Sequence, residues 1–345
     1  MSRHVNIPIF IPHLGCPNTC VFCNQRTISG KLSFDISTVR TEIEQALSTV
    51  GDGDEAEIAF FGGSFTGIDR GLMIELLELA HEYVSVGRVR SIRCSTRPDY
   101  IDGEILDILG RYGVMVIELG LQSADEQVLM WTKRGHGFDA EERACRLIVE
   151  RGFELVGQMM IGLPGSTAES ELATADFIIR AGASGARVYP TVVFRDTELC
   201  SMCESGEYTP LSLEEAVGRA AAVLRRFRDA GVKVIRVGLC SSENLTADET
   251  YFAGPNHPAI GELCENQIYY EKILEQASEL LLDKNMILKI SVARGNLSKA
   301  VGQRKRNKLL LTEVLGIRDV IFAESDDLAT GEISVGAEEG EKTCT

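Results

Sequence analysis

Residues 13–25, HLGCPNTCVFCNQ, place Cys16, Cys20 and Cys23 in the spacing C-x3-C-x2-C. The run before them, VNIPIFIPHLG at 5–15, is apolar and reads as a first β-strand over 5–14, so the cysteines lie just past a strand end. Working outward, strand-like runs alternate with helical patterns. Further strands are predicted at 57–62, 89–95, 114–121, 153–161, 186–193 and 232–238. Between them lie helix signals: Ser37 and Asp139 as candidate caps, Asp69 opening a helix over 71–84, and the capping box Ser212/Glu215. A long helix is predicted over 258–283. Such alternation implies a parallel sheet with crossover helices, in an incomplete (β/α)6 barrel or a doubly wound sheet. In either fold ligands gather at the C-terminal ends of the strands, where most of the motifs below fall.

The composition is that of a globular domain: 44% hydrophobic and 25% charged in 345 residues. No apolar stretch is long enough to span a bilayer, and Pro8 and Pro12 interrupt the N-terminal run. A cytoplasmic protein is expected. Ten cysteines in such a chain are not a disulfide framework; three crowd together and the rest are scattered, suggesting one metal site among ordinary buried thiols. The net charge of −16 argues against indiscriminate nucleic-acid binding, yet it is uneven. Residues 284–308 hold eight Lys or Arg and no acid, whereas 324–345 hold seven acids and one lysine. The chain divides in sequence into a core over 1–237, an extension with the basic segment over 238–323, and an acidic tail over 324–345 expected to be disordered.

Thiolates are the soft ligands an iron–sulfur cluster needs, and three on one short loop leave the fourth iron of a cubane open to substrate. An electron carrier would use four cysteines. The bland alternative is a structural zinc site completed by His13 or a distant ligand.

With Phe22 before the last cysteine, the motif resembles that of radical S-adenosylmethionine (SAM) enzymes. The strings CPNTCVFCNQ, FFGGSFTG, STRPDYI, ELGLQS, KRGH and GLPG, in that order between about Val5 and Val237, resemble the Elongator catalytic subunit family. A more distant similarity is to oxygen-independent coproporphyrinogen oxidases. The resemblance implies a radical SAM partial (β/α)6 barrel with a small C-terminal α/β extension. It also implies a [4Fe–4S] cluster on Cys16, Cys20 and Cys23, and SAM as cofactor.

By the same resemblance the turn Gly62-Gly63-Ser64 holds the SAM amine, although a Gly-Gly pair alone reads as a plain strand-end turn. Ser95 and Arg97 end the third strand, and Ser95 departs from the carboxylate of the relatives. Gln122 offers a donor and an acceptor to SAM, and Arg134 a bidentate fork to its carboxylate; by itself Arg134 would be a solvated helix end. Gln158 stands where relatives carry Asp, and the turn from Gly162 to Gly165 would offer backbone groups to adenine. Cys200 and Cys203, a C-x2-C pair without a matching second pair, read as structural thiols. No catalytic residue is assigned.

The resemblance further implies reductive cleavage of SAM to a 5′-deoxyadenosyl radical, with flavodoxin or ferredoxin as electron donor. A tRNA substrate is expected from the family and from Arg294, Lys299, Arg304, Lys305, Arg306 and Lys308, although a charge run is commonly just a solvated face. With 345 residues, no room is expected for the acetyltransferase domain of Elongator. The alternatives are a radical SAM enzyme for a small molecule such as a tetrapyrrole, and a non-catalytic iron–sulfur protein that binds RNA.

Overall fold

The computed structural model describes residues 3–11, 14–16, 20–24, 34–51, 53–239 and 250–339. The chain divides into two compact units, 1–216 with 226–258, and 217–225 with 259–345.

The first unit is built on β1 (His4–Ile11), β2 (Glu55–Gly62), β3 (Ser91–Thr96), β4 (Val114–Gln122), β5 (Glu154–Ile161), β6 (Gly185–Pro190) and β8 (Lys233–Val237). These seven pair in parallel, in that spatial order. The order never reverses, so there is no switch point, and the doubly wound alternative falls away. Crossovers of one hand then set every helix on one face, and the sheet curls about the other into a partly closed barrel. The seventh strand, β8, is the further one predicted over 232–238, paired beyond the six of the expected barrel. Between β6 and β8 a short β7 (Val193–Phe194) pairs antiparallel with β9 (Tyr251–Ala253), which carries this unit past the expected boundary at Val237 to Pro258.

Helices α1 (Val39–Leu47), α2 (Arg70–Ser85), α3 (Gly103–Arg111), α4 (Glu126–Trp131), α5 (Phe138–Glu150) and α6 (Ala168–Arg180) fill the crossovers. Their apolar stripes, such as Met73, Leu76 and Leu77 on α2, are fully buried together with Ile58, Phe60, Ile92, Ile117, Leu119 and Val188 of the strands. Gly157 faces the same way, since a Cβ there would strike Ile178 of α6. Alternation sends the neighbouring strand residues to the inner face. Asp69 caps α2 by accepting from the Leu72 amide at 3.0 Å. The Ser212/Glu215 box opens the helix over Leu213–Asp229. Two caps differ from expectation. Asp35, not Ser37, accepts the amide at the first turn before α1, and Gly137 precedes α5, with Asp139 in its first turn. In each case the residue that reaches extended backbone at the right place takes the cap.

The second unit packs Ile260–Ala277 (α9, after α7 over Glu198–Glu204 and α8 over Leu213–Asp229) with a three-stranded sheet. Its strands are β10 (Met286–Ala293), β11 (Asp319–Ser325) and β12 (Ile333–Glu339), with β10 central. The long helix is shorter than the predicted 258–283. The expected disordered tail is also corrected: through Glu339 it is the end of β11 and the whole of β12, antiparallel to β10. Ile333 and Val335 pack on this unit's core, and Glu338 pairs with Lys289 at 2.6 Å. Composition advertised solvation, but the backbone of the tail finds a strand edge. Residues 340–345 lie outside the described ones. Among the described residues no helix is long and apolar enough to cross a membrane.

Candidate functional site

The cysteine loop follows β1 and is pinned from two sides and closed by a turn of its own. The Val21 amide donates to Thr132 O at 3.2 Å, the Val21 carbonyl accepts from the Leu199 amide at 2.9 Å, and the Cys23 amide donates to Cys20 O at 3.0 Å. Val21 is buried with Val193, Leu199 and Cys200, and Phe22 and Cys203 pack on the same cluster. Phe22 and the α7 thiols Cys200 and Cys203 thus share one apolar cluster. Cys16 is exposed and Cys20 buried, with Cys23 between. The Cys16 sulfur lies within electrostatic reach of Cys20, Arg97 and Arg134. Among the described residues no three His, Cys, Asp or Glu side chains converge as a metal-binding group. His13, Cys240 and residues 17–19 within the motif lie outside the described ones.

Glycine is required where this loop meets the end of β2. A Cβ on Gly63 would stand 2.2 Å from Leu14 O, and one on Gly15 2.2 Å from Ser64 O. Gly62, at φ +116°, would strike Ile11 O. These residues thus let two strand-end turns interlock, with the Gly63 amide donating to Ile11 O at 3.0 Å. The Ser64 hydroxyl is fully buried, accepts from the Arg97 amide at 3.2 Å and pairs with the Thr96 hydroxyl at 2.8 Å. Its position braces the turn.

Arg97 forks onto the Asp99 carboxylate, Nε and Nη2 each at 2.9 Å, and Nη2 also donates to Arg134 O at 2.5 Å. Arg134 donates from Nη1 to Cys20 Sγ at 3.2 Å and from Nη2 to Gly120 O at 2.5 Å. Its Nε is buried without a hydrogen-bond partner among the described residues. Gln122 ends β4 at φ +73°, a left-handed conformation that a glutamine holds at a cost of order 1 kcal/mol, as is common beside ligand sites. Behind Arg97, His136 bridges Asp99 and Glu141, each at 3.3 Å. Burial pushes the Glu141 carboxyl up to about 7. Burial works to lower His136, but the bonds to Asp99 and Glu141 outweigh it and the imidazole is raised.

The inner face of the sheet carries a ladder of charge. Glu57 accepts from Ser91, Arg93 and His4. Arg93 also reaches Glu118 at 2.9 Å, and Glu118 takes Arg187 through Nε at 2.7 Å and Nη2 at 3.0 Å. Gln158 donates to Glu118 at 3.0 Å and to Ser95 Oγ at 3.3 Å, so Ser95 and Gln158 belong to the ladder's upper edge. Gly162 has its amide on Glu171 at 2.7 Å and its carbonyl on the Tyr208 hydroxyl at 2.5 Å. Those two groups serve the turn itself.

The sequence reading assigned no role to Asp99, His136, Glu141 or the ladder. A signal existed for part of it: Glu118 and Arg187 each place one charge inside an otherwise apolar strand run. In the second unit the basic segment is less uniform than its sequence. Lys289, Arg294 and Lys308 pair with Glu338, Asp326 and Asp319. Lys299, Arg304 and Lys305 have no ion pair among the described residues. Arg304 and Lys305 are exposed at φ +52° and +61°.

Three thiols on one anchored loop are the donor type a [4Fe–4S] cluster takes, and they stand beside the buried guanidinium of Arg134.

Comparisons with known proteins fit this geometry. The model of the radical SAM superfamily matches residues 10–178, and that of the radical SAM C-terminal domain residues 183–270. Protein YhcC of Escherichia coli is 25% identical over 61% of this chain and 71% of its own length. The tRNA uridine(34) acetyltransferase of Methanocaldococcus infernus is 31% identical, over 35% of this chain and 23% of its own. The solved structure of Elp3 from that archaeon, lacking residues 1–46, superposes with a TM-score of 0.62 at 21% identity. The match covers 79% of this chain and 63% of that one.

Proposed function

We propose, from the premise that this chain belongs to the radical SAM superfamily and is similar to its Elongator-like branch, that it cleaves SAM reductively at a [4Fe–4S] cluster and acts on RNA. The observation that carries the reading is the cysteine loop, fixed by Val21, Phe22 and the glycine interlock at the C-terminal ends of the strands. Cys16, Cys20 and Cys23 would hold the cluster, which when bound supplies the electron that breaks SAM into methionine and a 5′-deoxyadenosyl radical.

The chain's own residues do the rest. The interlocked turns hold the loop against β2. Arg97 and Arg134 bring positive charge beside the thiolates. Gln122, strained at the end of β4, and the rim of Ser95 and Gln158 offer polar groups to SAM, with the carbonyl of Gly63 nearby in the turn. The ladder closes the inner face with its charges mutually satisfied, so solvent has no polar reason to enter there. A flavodoxin- or ferredoxin-type donor would supply electrons.

RNA is the substrate class supported by the similarity to an archaeal tRNA uridine(34) acetyltransferase and by Arg304 and Lys305, exposed and without an ion pair among the described residues. Because Arg294 and Lys308 face acids, the contacts proposed to phosphate are narrowed to Lys299, Arg304 and Lys305.

The test is anaerobic purification, reconstitution with iron and sulfide, and addition of dithionite and SAM. Wild type should release 5′-deoxyadenosine, and Cys16→Ala, Cys20→Ala and Cys23→Ala should not. A wild-type chain that binds zinc in place of a cluster, or a full cluster without SAM cleavage even with cellular RNA present, would refute the reading.

A further inference from the structure

Cys20 is buried, so an electron must reach it through whatever covers the cysteine loop. Among the described residues that cover is thin. Val21, next to Cys20, donates to Thr132 O at 3.2 Å on one side and accepts from the Leu199 amide at 2.9 Å on the other. Both anchors are fully buried, yet each is one residue from solvent: Thr132 lies between the exposed Trp131 and Lys133, and Leu199 follows the exposed Glu198. Lys133 and Glu198 pair at 2.5 Å and so link the two anchoring segments. Beside that pair, the end of α4 leaves Met130 60% exposed and Trp131, the chain's one tryptophan, 53% exposed. The indole has a fixed seat. Asp125 caps α4 by accepting from the Gln127 amide at 2.8 Å, and a Cβ on Gly165 would stand 3.3 Å from the ring. Single exposed apolar residues are ordinary, but a seated Trp–Met pair inside a charged rim has the composition of a protein-docking centre.

Resting on the cluster reading above, we propose that Met130 and Trp131, rimmed by Lys133 and Glu198, form the docking surface for the protein that reduces the cluster, a small carrier with a flavin or an iron–sulfur centre. Electron transfer falls steeply with distance, which sets the carrier over the thinnest cover of Cys20. One electron leaves the flavin hydroquinone or reduced iron–sulfur centre of the carrier, which is oxidised by one equivalent, and is taken up at the cysteine-bound cluster. Redox encounters of this kind use small interfaces, and two apolar side chains within a polar rim suit one. The charge nearby favours a protein over RNA. Glu198 and Glu204 at the two ends of α7, and Asp196 just before it, are exposed acids that repel a phosphate backbone.

The measurements use the reconstituted full chain, with a bacterial flavodoxin and a bacterial ferredoxin as probes. Isothermal titration calorimetry reads the binding of each oxidised carrier, and stopped-flow absorbance follows reduction of the cluster by each reduced one. Trp131→Ala should weaken binding, and slow reduction at sub-saturating carrier, by about tenfold or more, as loss of a central tryptophan does. Met130→Glu should act in the same direction. Release of 5′-deoxyadenosine with dithionite, which needs no docking, should stay within about twofold of wild type in both variants. Unchanged carrier binding and reduction in both variants overturns the inference, as does a wild type that dithionite reduces and neither carrier does. Affinity for total tRNA lost in the variants, with carrier binding intact, assigns the patch to RNA and also overturns it. If Trp131→Ala loses the dithionite reaction as well, Met130→Glu decides by the same criterion. A wild-type chain that assembles no cluster overturns the reading beneath, whereas normal dithionite chemistry with carriers indifferent to the variants overturns this inference alone.

Discussion

Glu118 is the keystone of the inner-face ladder, and Glu118→Gln is the substitution that tests it. Its carboxylate is fully buried and takes Arg93 at 2.9 Å, Arg187 at 2.7 and 3.0 Å, and Gln158 at 3.0 Å. The amide is nearly isosteric but neutral, and one of its two ends turns from acceptor to donor. Arg93 keeps Glu57, reached at 2.6 and 2.9 Å, whereas Arg187 loses its one carboxylate partner among the described residues. Removing one partner of a buried pair costs about 3–5 kcal/mol. For a unit of this size each kcal/mol lowers Tm by about 2–4 °C, so a fall of about 6–20 °C is expected. The assay is a thermal melt by circular dichroism, with urea titration for the free energy. Arg187→Met added to Glu118→Gln removes the orphaned charge and should restore part of the loss, a coupling of at least about 1 kcal/mol. A single variant melting within about 1 °C of wild type, or purely additive losses in the double variant, would refute the ladder as a coupled network.

Three further outcomes follow from the same structure. Gly63→Ala places a methyl 2.2 Å from Leu14 O, a contact only backbone movement relieves; it should cost about 1–3 kcal/mol and lower iron loading after reconstitution, and full iron content with an unchanged Tm would contradict the interlock. Glu141 is raised from its ordinary value of 4.5 to about 7 by burial, so the native state binds its proton more tightly than the unfolded chain. Its contribution to stability is whole below about pH 4.5 and is lost as pH rises toward about 7, in the same direction as the raised His136. Urea titrations across that range should show stability falling with pH, less so in Glu141→Gln, and an equal slope in both proteins would sink the assignment. Cys94, Cys145 and Cys264, pushed up to about 12 by burial, should resist iodoacetamide at pH 8 in the native chain while the exposed Cys16 reacts. Mass spectrometry reads this, and rapid native labelling of any of the three would count against their burial.

What the sequence determined by itself is local. Apolar runs of strand length, the caps at Asp69 and Ser212, and the spacing of Cys16, Cys20 and Cys23 each depend on neighbours a few residues away, and the strands of the barrel lie close to where those patterns put them. Tertiary structure decided what joins residues far apart. Strand order brought Glu57, Arg93, Glu118 and Arg187 to one face, and a positive-φ turn with a carbonyl within reach made glycine obligatory at Gly62. It turned Arg134 toward Cys20, 114 positions away, and set Glu338, Asp326 and Asp319 against three bases of a segment that looked uniform in sequence. The physical reason is that burial, and the electrostatic pairing burial demands, depends on which surfaces meet, and a linear pattern records only which surfaces need to.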